Sequence, residues 1–245
     1  MRNNIKIVLS IGVLVIATMA CMLVTGGGQN PPSPTPGLTG TVAPTLLPTE
    51  TDLPPVVDEV LLRDDFTSIQ WGTGTDTDLS IEYLNGTLQF VIYTNNRFYW
   101  STPNDQTYQN VRIEVTTINN NSDPTTALGI MCNKNPAENS FYYFAITPAG
   151  QYAIVRATDG ESDVFLTNDN KWAFSDLIAK NASSYRLGAD CGNGTLKLYV
   201  DGNQIDSASD VTYQSGEVGL FVWSGEEATN TNVAFDDFSI IKIPE

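Results

Sequence analysis

From Glu59 onward the chain is built of short runs in which apolar and polar residues alternate, or in which Val, Ile, Phe and Tyr are concentrated. Ten segments read as β-strands: VLLRDDF from Val60, TLQFVIY from Thr87, NVRIEVTTI from Asn110, ALGIMCN from Ala127 and FYYFAIT from Phe141, then QYAIVRA from Gln151, SYRLGADC from Ser184, TLKLYVDG from Thr195, GEVGLFVW from Gly216 and NVAFDDFSIIKI from Asn232. The segments between them include Asn85-Gly86, Pro148-Ala149-Gly150, Asp159-Gly160, Gly192-Asn193-Gly194 and Asp201-Gly202, which supply the positive φ that tight hairpins require. Many short strands cut by turn signals indicate antiparallel sheets closed into a sandwich or barrel. The one helix candidate is a short turn at Ser175-Asp176-Leu177-Ile178.

The period of two assigns faces. In TLKLYV, Leu196, Leu198 and Val200 share one side, and Lys197 and Tyr199 the other. In EVGLFVW, Val218, Leu220 and Val222 form the core-facing set, which sends Gly219, Phe221 and Trp223 to the opposite face of the sheet.

The first 57 residues follow different rules. Residues 1–6 carry Arg2 and Lys6, and residues 7–24 are almost wholly apolar, so 1–25 reads as an export signal. Two forms of it stand side by side: an uncleaved membrane anchor, or a lipoprotein signal in which Ala20 precedes a lipidated Cys21. Either form tethers the rest of the chain to the outer side of a bacterial cytoplasmic membrane. Residues 26–57 are rich in Gly, Pro and Thr with no apolar period, which fits an extended stalk. Residues 58–245 are then one domain of a size usual for a sandwich.

Charge and composition narrow the chemistry. The net charge of −16 repels nucleic acid and favours neutral or cationic partners. The chain has no histidine, which removes Ser-His-Asp triads, His-ligated zinc and the usual general base near neutral pH. Of three cysteines, Cys132 and Cys191 lie at strand ends within the domain, and in an oxidising compartment they are expected to form a disulfide. The sequons at Asn85, Asn120, Asn181 and Asn193 read as turn residues behind a bacterial signal.

The order of short motifs carries a resemblance. Asp64-Asp65-Phe66, Trp71 and Asn85-Gly86-x-Leu88 come first, followed by Gly129-Ile130-Met131-Cys132, Phe141-Tyr142-Tyr143-Phe144-x-Ile146 and Gly150-x-Tyr152-x-Ile154. Tyr185-Arg186-Leu187, Leu196-x-Leu198-Tyr199-Val200-x-Gly202, Gly216-x-Val218-Gly219-Leu220 and Phe235-Asp236-Asp237-Phe238 close the series. Over residues 59–243 this resembles the concanavalin A-like lectin/glucanase superfamily, with its laminin-G-like and 3-keto-disaccharide-hydrolase-type jelly rolls. The fold so implied is an all-β, two-sheet antiparallel jelly-roll sandwich, and the activity implied is binding of sugars or cleavage of glycosidic bonds.

The resemblance also marks candidate sites. A glucanase of this superfamily uses a Glu-x-Asp-x-Glu strand, and Glu161-Ser162-Asp163 is the nearest match, with Phe165 and Leu166 where the third acid belongs. Several members hold a structural Ca²⁺. Here Asp65, Asp236 and Asp237, on first and last strands expected to be neighbours, are its candidate ligands, with Asp64 as the alternate of Asp65 and Asp76 and Asp78 as a further source. For a glycan, Trp223 supplies a flat face and the following loop supplies Glu226, Glu227 and Asn230, while Trp100 and Arg97 form a second group. Trp71 and Trp172 read as core. Three functions follow: a tethered module binding neutral glycans, a carboxylate-based glycoside hydrolase, and a structural or protein-binding envelope domain.

Overall fold

The computed structural model describes residues 59–244 apart from 69, 122 and 227–229. The expected export segment with Cys21 and the expected stalk lie outside the described residues. In chain order the strands are β1 (Val60–Asp64), β2 (Gly74–Thr75), β3 (Leu79–Leu84), β4 (Thr87–Ile92), β5 (Phe98–Ser101), β6 (Val111–Asn119), β7 (Ala127–Asn135) and β8 (Ser140–Ile146). They continue as β9 (Gln151–Ala157), β10 (Val164–Phe165), β11 (Ala173–Phe174), β12 (Ser184–Gly192), β13 (Thr195–Val200), β14 (Asn203–Ser209), β15 (Glu217–Trp223) and β16 (Thr231–Lys242). All ten strands expected from the alternation are present. Ser175–Ile178 forms a hydrogen-bonded turn rather than a helix, closed by Ile178 N–H donating to Ser175 O at 3.3 Å.

Two antiparallel sheets hold these strands. One runs β14-β13-β12-β6-β16-β4-β3-β2, with β1 paired to β16. The other runs β10-β9-β8-β7-β15-β5, with β11 paired to β9. Hairpin turns fall at the expected dipeptides: Asn85-Gly86, Asn193-Gly194 and Asp201-Gly202 each place both residues at positive φ, the backbone that matches strand twist in a two-residue loop.

The core lies between the sheets. Leu196, Leu198 and Val200 of β13 and Val218, Leu220 and Val222 of β15 all lie in it, each at most 2% exposed, as parity requires. Cys132 of β7 and Cys191 of β12 form a disulfide between the two sheets. It closes a loop of 59 residues, for which loop-closure entropy gives about 4 kcal/mol of stabilisation.

The Asp64-Asp65-Phe66 and Phe235-Asp236-Asp237-Phe238 motifs meet at one end of the core. β1 pairs with β16 so that Asp64 opposes Phe238. Asp64 is buried and accepts from the Trp71 indole N–H at 2.8 Å and from Phe66 N–H at 2.9 Å. Trp71 stacks edge-on against Phe238 at 4.8 Å and lies 5.4 Å from Phe66. Trp71 is therefore core, as expected, and the first motif is a capped aromatic plug.

Candidate functional site

The outer faces of the two sheets differ in chemistry. On the β6–β12–β13 sheet, the outward residues are charged and paired. Arg112 donates twice to Asp190, at 2.6 and 2.8 Å, and lies over the Tyr199 ring at 4.6 Å. Arg186 reaches Glu114 at 3.1 Å. This is the ordinary polar exterior of an antiparallel sheet. The outer face of the β7–β8–β9–β15 sheet carries instead a second apolar cluster: Ala127, Met131, Phe141, Tyr143, Ala145, Ala153, Val155, Ala157 and Phe221. An apolar set on the wrong side of a sheet is where a ligand site is to be sought.

Register explains its shape. Trp100 of β5 opposes Phe221 of β15, which opposes Gly129 of β7; Gly129 opposes Ala145 of β8, and Ala145 opposes Ala153 of β9. The row thus falls from two large aromatics to Gly and Ala. Gly129 is required: a Cβ there would lie 1.8 Å from the Phe144 carbonyl oxygen and 2.8 Å from the Phe221 ring. The small residues form a floor. Phe98 stacks on Phe221 at 4.7 Å and, with Trp223, walls one side. Phe165 and Trp172, 5.9 Å apart on the segment from β10 to β11, wall the other. The result is a pocket of about 360 Å³, lined by these rings together with Tyr143, Phe141 and Asp163.

Polar groups in it are few. Tyr143 donates to Asp163 Oδ2 at 2.7 Å. Burial, reinforced by the charge of Asp163, pushes the Tyr143 hydroxyl well above the usual tyrosine range, so it stays protonated and donating. Asp163 is the one carboxylate lining the pocket, and Glu161 is exposed beyond it. Along β15, alternation puts Glu217 on the same side as Phe221 and Trp223. It is already held by Lys134 Nζ at 2.9 Å, with both side chains under a tenth exposed.

Of the residues singled out in the sequence, Trp223 lies where parity sends it, half-buried against the apolar cluster. Trp100 stands at the edge of the same face, 6.1 Å from Phe98 and 6.4 Å from Phe141. Arg97 is tied to the end of β15 through its backbone, which exchanges hydrogen bonds with Ser224; its side chain is not among the pocket's lining. Glu226 is exposed, with its carbonyl accepting from Asn95 Nδ2 at 2.7 Å, and Asn230 is exposed at positive φ. Neither lines the pocket. Glu227 lies outside the described residues.

Of the calcium candidates, Asp65 and Asp237 line one shallow depression with Asp64 and Arg63, and Asp236 does not. Asp65 Oδ1 accepts from the Thr67 hydroxyl at 2.6 Å, which holds its carboxyl below the usual range. Asp237 pairs with Arg186 at 3.1 Å, and Asp236 Oδ1 accepts from Asp237 N–H. Asp64 is taken by Trp71 and Phe66, and Asp76 accepts from Asp78 N–H and Leu79 N–H. Among the described residues no group of three or more acidic side chains comes together as a metal site. A hard divalent cation takes six to eight oxygens, and the described carboxylates are engaged mainly with local donors or an arginine.

Sequence reasoning assigned Trp172 to the core, whereas the structure puts it on the pocket wall. It passed over Phe98, Phe141, Tyr143 and Phe165. The signal was present in the alternation: with Leu128, Ile130, Tyr142, Phe144 and Ile154 inward, the outward set has to be Ala127, Gly129, Phe141, Tyr143, Ala145 and Ala153, too apolar for a solvated face.

No protein-family model matches the chain, and no curated protein does. Solved structures do. The carbohydrate-binding module CBM66 from Bacillus subtilis aligns with a TM-score of 0.53 at 13% identity, covering 71% of this chain and 96% of that one. A Bacillus subtilis protein of unknown function with a galectin-like fold gives 0.56 at 10% identity, covering 75% and 96%. A Bacillus licheniformis β-glucanase gives 0.51 at 12%, covering 76% and 99%. At such identities the likeness establishes the fold: the domain is a concanavalin A-like jelly-roll sandwich.

Proposed function

We propose that the chain is an exported, envelope-tethered module whose sandwich domain binds neutral carbohydrate without cleaving it. The observation that carries this reading is the pocket on the outer face of the β7–β8–β9–β15 sheet, walled by Trp172, Phe165, Phe98 and Trp223 over a floor of small residues. Flat aromatic plates on two sides of a cleft suit the C–H faces of a pyranose. Two proteins of similar fold, a carbohydrate-binding module and a β-glucanase, support that choice of ligand. The net charge of −16 disfavours uronates and sulfated chains.

Binding is favoured over hydrolysis because glycoside cleavage needs two carboxyls about 5–10 Å apart across the scissile bond. The pocket offers Asp163 alone, engaged by Tyr143, and Glu217 is committed to Lys134. The export segment and stalk give such a module its position outside the membrane.

Affinity electrophoresis against neutral, uronate and sulfated polysaccharides tests the reading, with reducing-sugar release measured in parallel. Retardation by a neutral polysaccharide, weakened about tenfold by Trp223→Ala or Trp172→Ala and without sugar release, is the expected result. Unretarded migration with every polysaccharide overturns the proposal, and sugar release would make the domain a hydrolase.

A further inference from the structure

The carbohydrate reading leaves open which part of a sugar the pocket takes, and the floor answers that. The floor is made by Ala127, Ala145 and Ala157, which present methyls only. Its backbone N–H and C=O groups belong to paired strands in the sheet interior. The Tyr143 hydroxyl is used by Asp163, and Asp163 itself is exposed, on the rim. A ring can therefore exchange hydrogen bonds with polar groups on the walls and at the mouth, but a hydroxyl carried to the floor meets alanine methyls and the Phe221 ring. An unpaired buried hydroxyl is costly, whereas a methyl in the same place gains by burial. The volume, about 360 Å³, lies near the lower end for small-molecule pockets and suits one ring inserted edge-first.

We propose that the pocket selects a 6-deoxyhexose, a neutral sugar whose exocyclic carbon is a methyl group, and seats that methyl on the Ala145 floor between Phe221 and Trp172. The inference rests on the carbohydrate reading and adds the class of sugar to it. Uronates fit least, since a carboxylate would replace the methyl in a pocket that already holds Asp163 and no cation.

The test uses matched methyl glycosides that differ by one oxygen, each 6-deoxyhexoside against its hexoside, in galacto, gluco and manno configurations and in both enantiomeric series. Binding to the full-length chain is followed by ligand-observed NMR at millimolar concentrations and by tryptophan fluorescence. For at least one configuration the 6-deoxy member is expected to bind about tenfold more tightly, a difference of about 1.4 kcal/mol. Ala145→Ser places a hydroxyl partner on the floor, and it is expected to reduce that ratio several-fold while the circular dichroism spectrum is unchanged. If Ala145→Ser unfolds the domain, Ala157→Ser, also on the floor, takes its place. Equal binding within every pair, or a preference untouched by the serine variants, overturns the inference and leaves carbohydrate binding standing. If no glycoside binds and no neutral polysaccharide retards the protein, both fall together.

Discussion

The Tyr143 hydroxyl and Asp163 Oδ2 lie 2.7 Å apart, and this bond joins the sheet floor to the segment that walls the pocket. Tyr143 is 8% exposed, whereas Asp163 faces solvent, so the two ends differ in what their removal costs. Tyr143→Phe keeps the ring against Phe98 and Phe221 and frees a carboxylate that water can solvate. It is expected to cost about 1 kcal/mol, a fall of about 2–4 °C in Tm. Asp163→Ala leaves the buried hydroxyl without its acceptor and is expected to cost at least as much. Thermal melts of both variants check the order; a Tyr143→Phe that melts far below Asp163→Ala would contradict it.

Gly129 is where floor and core compete for the same space. Its missing Cβ would meet the Phe144 carbonyl oxygen at 1.8 Å and the Phe221 ring at 2.8 Å. Backbone of a central strand cannot move aside as a flexible side chain can. Gly129→Ala is expected to destabilise by more than about 3 kcal/mol, or to prevent folding. Ala145→Gly in the next strand, which only removes a methyl, is expected to cost about 1 kcal/mol. Urea denaturation of the two variants distinguishes them, and equal losses would mean the sheet relaxes around the added methyl.

These residues also show what alternation could and could not disclose. The parity of β15 sends Trp223 outward from sequence alone, and the Cys132–Cys191 pairing follows from compartment and count. The strands β3, β5 and β14 were missed: FYWS is short and does not alternate and NQIDSAS is mostly polar, whereas LSIEYL does alternate and was passed over. The pocket was missed for a different reason. Phe98, Tyr143 and the Phe165–Trp172 pair come from three separate segments, and only the pairing order β10-β9-β8-β7-β15-β5 gathers them. Glu226 and Asn230 looked like site residues because they follow Trp223 in sequence, but the chain turns away at Gly225, whose φ is 77°.

Lys134 and Glu217 form an ion pair at 2.9 Å with 8% and 9% side-chain exposure. Two charges withdrawn from water are held by each other, so removing one strands the other. Glu217→Leu and Lys134→Met are each expected to destabilise by about 3–5 kcal/mol, whereas the double replacement Lys134→Met with Glu217→Leu is expected to recover most of that loss. A double-mutant cycle by urea denaturation gives the coupling. Additive single losses would mean the pair is solvated and contributes little.

The tyrosines that bridge sheet and loops set an alkaline limit. Tyr142 donates to Asp210 Oδ1 at 2.6 Å and Tyr152 to Asp206 Oδ2 at 3.0 Å. Burial first, and then these bonds to carboxylates, raise both phenols from 10.0 to about 12. The protonated phenol is thus the form the fold prefers. Below pH 10 both states hold the proton, and the stabilisation is fully present; as pH climbs from 10 towards 12, the unfolded chain releases protons that the folded chain keeps, and stability falls. Urea melts across that interval are expected to show a declining unfolding free energy, with tyrosinate absorbance rising as the fold is lost. In Tyr142→Phe the decline is expected to be shallower, which separates this proton release from the general repulsion of a highly negative surface. Parallel declines in wild type and Tyr142→Phe would remove Tyr142 from the account, and tyrosinate absorbance complete near pH 10 with the fold intact would show that both hydroxyls are open to solvent.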